Sequence, residues 1–240
     1  MTQLATLRYE TDGPIATVTL DRPECLNAYD RQMRDDLFDV LGAVHDDPAL
    51  RVLVLCGRGR AFSTGGDLRE FGSAPSPVVA RAVRFRRDVW GRLLELPAAT
   101  LASVHGLAVG GGMEMALLCD VVVAARGARF GLPECGLGMI PGVAGTQTLA
   151  RRSGAARALD LVLSGRLVGA AEAQRQGFVA HVVRERELAS TTRRLARRLA
   201  ALDPGVVMAI RRCLRAAHDG TLAAGVALER RLGLGLEARR

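Results

Sequence analysis

Residues 105–120 read HGLAVGGGMEMALLCD, and this stretch decides the fold class. It continues the apolar run TLASVHG at 100–106, which reads as a strand. The glycines at 110–112 let the backbone turn sharply. An apolar segment from Gly111 to Cys119 then reads as a helix, and VVVAA at 121–125 as the next strand. Strand, glycine turn, helix and strand in succession predict an α/β core, with parallel pairing where the crossover is helical.

Working outward, the same alternation continues on both sides. ATLRYE and IATVTL flank the turn residues Thr11 to Pro14 and predict a hairpin. Tyr29 to His45 places Met33, Leu37, Val40, Leu41 and Val44 at helical spacing, with Asp30 as its cap, ahead of the apolar strand RVLVLCG. A helix is predicted across Pro77 to Leu96, preceded by FGSAPSP at 71–77, which reads as a mobile loop. From about Ala155 onward no strand longer than FVAHVV is expected. Leu188, Leu195, Leu199 and Leu202 mark an arginine-rich amphipathic helix. Its apolar stripe suits a packing face within the chain, a subunit interface or an anionic surface site.

Composition narrows the chemistry. The chain has 240 residues, 49% of them hydrophobic, enough to bury a full core. No apolar run approaches the roughly 20 residues that span a bilayer, and MTQLATLRYETDG lacks the features of a signal peptide, so a cytoplasmic protein is expected. Cys25, Cys56, Cys119, Cys135 and Cys213 show no CxxC pairing, and the four histidines show no ligand spacing. Reduced thiols and no metal are the expectation. All 33 basic residues are arginine, because the sequence contains no lysine. That excludes a Walker A phosphate loop and Schiff-base catalysis, both of which need a lysine amine. The formal charge of +8 favours anionic partners without choosing among them.

Two segments carry candidate chemistry: AFSTGGDLREF at 61–71 and the opening stretch. Both run from a strand through glycine towards a helix, and a helix start offers free N–H donors with partial positive charge. Neither fits GxGxxG or GxxxxGK[ST], and Ser63 lacks the GxSxG setting of a nucleophilic serine. Glu114, three residues after Gly111, is either a charge complementing the helix dipole or an acid/base group beside the donors. Glu134, in FGLPECGLGMIPG, sits among apolar residues and glycines that would raise its pKa, or else it is an ordinary turn glutamate.

At these segments the chain resembles the enoyl-CoA hydratase/isomerase (crotonase) family. DRPECLNAYD resembles the family's NRPxxLNA segment, and AFSTGGDL its AFxxGxD segment. HGLAVGGGMEMALLCD resembles its glycine-rich helix start, and FGLPECGLGMIPGVAGTQTLAR its PE…PGxGGTQ stretch. The likeness covers about residues 5–183. It departs from common members at Glu24 and Cys25, where lysine or alanine is usual, and at Ala144, where glycine is common.

The resemblance implies a spiral of β-β-α units over residues 1–183, followed by a helical oligomerisation segment over 184–240, in a homotrimer or hexamer. It implies that the N–H groups of Gly66 and Gly111 hold a thioester oxygen. Glu114 would deprotonate the water and Glu134 deliver a proton. Cys25, Leu26, Ala28, Thr64, Gly65 and Asp67 would contact coenzyme A, which enters only as part of an acyl-CoA substrate and not as a cofactor. Two glutamates favour hydration of a 2-enoyl-CoA over Δ3,Δ2-enoyl-CoA isomerisation. A few relatives bind RNA, and Arg193, Arg194, Arg197 and Arg198 would be the place for it. With aromatics at only 4% of the chain, stacking platforms for bases are scarce, which argues against nucleic acid and leaves it a remote alternative.

Overall fold

Short apolar runs, buried almost continuously in β4, β5 and β7, build the central sheet of the structure, a computed structural model that describes residues 2–238. The strands are β1 (Thr2–Gln3), β2 (Leu7–Asp12), β3 (Ile15–Leu20), β4 (Val52–Gly57), β5 (Ala99–Val104), β6 (Leu107–Val109), β7 (Val121–Ala125), β8 (Arg129–Gly131), β9 (Val168–Gly169) and β10 (His181–Val183). The helices are α1 (Arg31–Asp46), α2 (Pro77–Phe85), α3 (Val89–Glu95), α4 (Gly111–Leu118), α5 (Gly145–Ser153), α6 (Ala155–Ser164), α7 (Ala170–Arg175), α8 (Leu188–Ala200), α9 (Pro204–Ala216) and α10 (Leu222–Glu237).

The large sheet has the order β1-β2-β3-β4-β5-β7-β10, and the small one β6-β8-β9. β2 and β3 form the predicted hairpin. From β3 onward the large sheet is parallel, as helical crossovers require. The chain moves repeatedly from one sheet to the other: β5 to β6, then β7 to β8. Isolated parallel bridges continue this pattern upstream, Ser63 to Ala108 and Tyr29 to Gly66. The result is a spiral whose successive turns stack the 26–29, 63–66 and 107–111 segments together.

Side-chain alternation splits the core between the two faces of the large sheet. Leu53, Leu55, Ala102 and Val104 face the main core with α1, α3 and α4, while Val52, Val54, Ala99 and Leu101 face α8. Burying one such leucine or valine contributes roughly 1.5–3 kcal/mol. α8 lies on that second face through Ala196, Ala200, Leu195 and Leu199. The stripe read from sequence therefore packs within the chain, except for Leu202, which is 50% exposed. The arginines at 193, 194, 197 and 198 stand exposed on the outer side of α8.

The helix expected across Pro77 to Leu96 is two helices, α2 and α3. Asp88 explains the break, because its carboxylate accepts the Gly91 N–H at 3.0 Å and caps a new helix start. The strand expected in FVAHVV is confined to His181–Val183, since Phe178 and Val179 turn into the main core instead. Arg211 ties α9 to the core. Its Nη1 donates to the Leu96 and Ala98 carbonyls at 2.6 and 2.8 Å, and its Nε lies 2.9 Å from the Asp120 carboxylate. Among the described residues no helix is long and apolar enough to cross a membrane.

Candidate active site

The site is assembled where three turns of the spiral meet. The 26–29 and 64–67 segments run side by side. Thr64 N–H donates to Leu26 O at 3.2 Å, Tyr29 N–H to Gly65 O at 2.8 Å, and Asp67 N–H to Tyr29 O at 2.9 Å. Leu26 and Asn27 both take left-handed backbone with φ of 55°. The buried Asn27 side chain holds that bend, donating to Arg58 O and Ala61 O and accepting from Arg22 N–H. Cys25, Leu26, Ala28, Thr64, Gly65 and Asp67 are thus gathered into one strip beside Gly66. Asp67 is buried between Arg22 and Arg69, whose guanidinium hydrogen bonds hold its carboxyl well below the usual carboxylate range.

Gly65 brings this strip against α4. Its φ is +88°, and a Cβ there would stand 2.7 Å from the Gly111 amide nitrogen, so only glycine allows the approach. Among the described residues, no protein group accepts from the N–H of Gly66 or Gly111. Gly66, bridged to Tyr29, thus lies one residue from the contact that Gly65 makes with Gly111, the first residue of α4.

Glu114 follows one turn into α4 and is 1% exposed. Its Oε1 accepts the Val143 N–H at 2.7 Å and the Gly145 N–H at 2.6 Å, both from the segment entering α5. Burial dominates its titration, pushing the pKa up to about 7; those amides oppose the shift and the Glu134 charge adds to it. The amides converge because Ala144, between them, adopts φ of 71° and ψ of 19°. The glycine usual here would take this conformation without a Cβ penalty.

Glu134 opens a short 3-10 turn, Glu134–Leu137, after Pro133. Its Oε1 reaches Gly110, where a Cβ would lie 2.9 Å away, while Oε2 is buried without a hydrogen-bond partner. Burial again raises its pKa. An orphaned buried carboxylate oxygen is costly unless protonated or engaged by a ligand. The arrangement offers two amide donors for a developing oxyanion, flanked by two carboxyls that hold protons at unusually high pH.

Of the four residues singled out in the sequence, Gly111 and Glu114 share the first turn of α4, Glu134 lies against Gly110 just before it, and Gly66 follows Gly65, which packs on the Gly111 amide. Sequence reading overlooked Arg22, Asn27 and Tyr29. Asn27 had a weak signal, an apolar-flanked amide inside the LNA motif. Arg22 and Tyr29 act through contacts across the fold and had none.

A family model described as enoyl-CoA hydratase/isomerase matches residues 10–235. A probable enoyl-CoA hydratase of Mycobacterium tuberculosis is 35% identical over 95% of this chain and 88% of its own. A 1,2-epoxyphenylacetyl-CoA isomerase of Escherichia coli is 37% identical over 90% of this chain and 84% of its own. Among solved structures, an enoyl-CoA hydratase subunit from Geobacillus kaustophilus superimposes with a TM-score of 0.92 at 36% identity, covering 99% of this chain and 91% of that one.

Proposed function

The chain belongs to the enoyl-CoA hydratase/isomerase family, and from that premise we propose that it adds water to a 2-enoyl-CoA, giving a 3-hydroxyacyl-CoA. The observation that carries this reading is the buried pair Glu114 and Glu134 beside two unpartnered amides. In the proposed reaction the thioester oxygen accepts from Gly66 and Gly111 N–H. Glu114 takes a proton from water as its oxygen bonds to C3, the electron pair of the double bond moves towards the carbonyl, and Glu134 protonates C2. Loss of one oxyanion donor costs about 10²–10³ in rate. The strip containing Cys25, Leu26, Ala28, Thr64, Gly65 and Asp67 holds the coenzyme A portion, which is part of the substrate.

Isomerisation of an enoyl-CoA is the second reading, favoured by the unpartnered Glu134 oxygen, since one carboxylate suffices to move a proton along an acyl chain. Mixing the protein with crotonyl-CoA and following the conjugated enoyl-thioester absorbance separates the two. Hydration removes that absorbance, and Glu114→Gln or Glu134→Gln abolishes the loss. Failure to hydrate crotonyl-CoA or longer 2-enoyl-CoAs refutes the hydratase reading.

Self-association as a trimer or hexamer is supported by α9 and α10. α10 buries no residue, and Ile210, Leu214, Leu222 and Leu234 are all more than half exposed. A reducing, cytoplasmic setting agrees with the five cysteines being unpaired.

A further inference from the structure

Tyr29 is fixed beside both donor glycines. Its N–H and C=O bond to Gly65 and Asp67, bracketing Gly66. Its ring packs edge-on against Trp90 of α3, with centroids 5.3 Å apart and planes at 61°. One edge of the phenol stands against Gly111: a Cβ there would lie 2.2 Å from the hydroxyl oxygen and 2.9 Å from Cε1 and Cζ. The opposite edge faces Gly66, where a Cβ would lie 3.7 Å from Cε2. The ring therefore contacts Gly111 closely and also borders Gly66, where the Phe71 ring stands nearer, at 3.0 Å from the same Cβ position.

Tyr29 is half-buried, although Asn27, Ala28, Gly65 and Asp67 around it are buried. Its main chain is bonded to that strip, and its ring stands at the strip's edge against the start of α4. Glu134 occupies the Gly110 side of the same helix start. An acyl group whose carbonyl oxygen sits between Gly66 and Gly111 is then bounded by Glu134 on one side and by the Tyr29 phenol on the other.

Resting on the reading of Gly66 and Gly111 as thioester-oxygen donors, we propose that Tyr29 is a specificity-determining residue whose ring limits the bulk an acyl group can carry next to the reacting carbons. A compact straight enoyl group fits beside the ring, whereas an aryl or branched group at C3 meets it. Packing against one pocket wall typically discriminates by about 10–200-fold.

The test compares kcat/KM for cinnamoyl-CoA with that for crotonyl-CoA in wild type, Tyr29→Phe and Tyr29→Ala. Tyr29→Ala is expected to raise the cinnamoyl-to-crotonyl ratio by about tenfold or more, while Tyr29→Phe, which keeps the ring, leaves it unchanged. Should Tyr29→Ala fail to fold, Tyr29→Leu is read in its place and carries the same expectation. Unchanged ratios in a folded Ala or Leu variant overturn the proposal while leaving the hydratase reading intact. A wild type inert towards both thioesters overturns that reading, and the role of Tyr29 with it.

Discussion

Glu114 and Gly145 are fitted to each other: the Gly145 N–H donates to Glu114 Oε1 at 2.6 Å, and a Cβ on Gly145 would lie 2.8 Å from both that oxygen and Cγ. The donor must be a residue without a side chain for the carboxylate to approach it. Gly145→Ala is expected to push Glu114 out of place and lower kcat for crotonyl-CoA hydration by about 10²-fold, the usual cost of an ångström-scale displacement. Circular dichroism should remain that of the wild type. A Gly145→Ala protein of normal kcat would show that this fit does not position the carboxylate for reaction.

The raised carboxyl pKa values set two pH dependences. In the proposed reaction Glu114 must be ionised to take a proton from water, and burial lifts its pKa to about 7. kcat/KM is therefore expected to rise as pH rises through about 7. The same shift governs stability. The folded protein holds the Glu114 proton more tightly than the unfolded chain, whose ordinary value is 4.5. That stabilisation is complete below about pH 4.5 and is lost as pH rises to about 7, by on the order of 3 kcal/mol. Urea unfolding at about pH 5 and about pH 8 should show the fall in wild type and a smaller one in Glu114→Gln. Equal falls in the two proteins would refute the assignment.

Ala144 supplies a third test, because it holds φ of 71° where a Cβ is disfavoured. Ala144→Gly is expected to stabilise the fold by about 0.5–1 kcal/mol, the left-handed penalty less the added freedom of the unfolded chain. Thermal unfolding reads this directly. Destabilisation would mean that the alanine methyl contributes packing that outweighs the strain.

Arg211 is 8% exposed and anchors the C-terminal helix pair through Asp120, Leu96 and Ala98. Arg211→Met removes the nearer of the two guanidinium groups facing Asp120, which keeps Arg215 at 3.7 Å and the Thr100 hydrogen bonds, and it frees the Leu96 and Ala98 carbonyls, with an expected loss of about 1–3 kcal/mol. Arg211→Met combined with Asp120→Asn should recover part of that loss. Chemical denaturation of both variants checks it, and additive losses would show that the pair is not coupled.

The local signals were legible where a few neighbouring residues sufficed. The hairpin before β4, the cap at Asp30, the start of α4 at Gly111 and the bounds of β7 follow from short apolar periods and turn residues, and the structure reproduces them. Asp88 was equally local, but it stands inside a run of helical spacing, where its capping bond outweighs the continuing period. For α8 the stripe identified a helix face and left its partner open. Only the approach of Val52, Val54 and Leu101 assigned that face to the chain itself.

The sequence by itself determined the α/β alternation, the two glycine-bearing segments and the placing of Glu114 just inside a helix start and Glu134 in a proline- and glycine-rich turn. Propensity, periodicity and motif spacing act over a handful of residues. The tertiary structure decided the surroundings of those groups: that Glu114 is held by amides 29 and 31 residues away, that Glu134 keeps a buried oxygen unpartnered, and that the Tyr29 ring packs against Gly111. Desolvation, orphaned polar atoms and contact across a cleft arise only when distant segments close around a group, and no local pattern encodes the sum of those approaches.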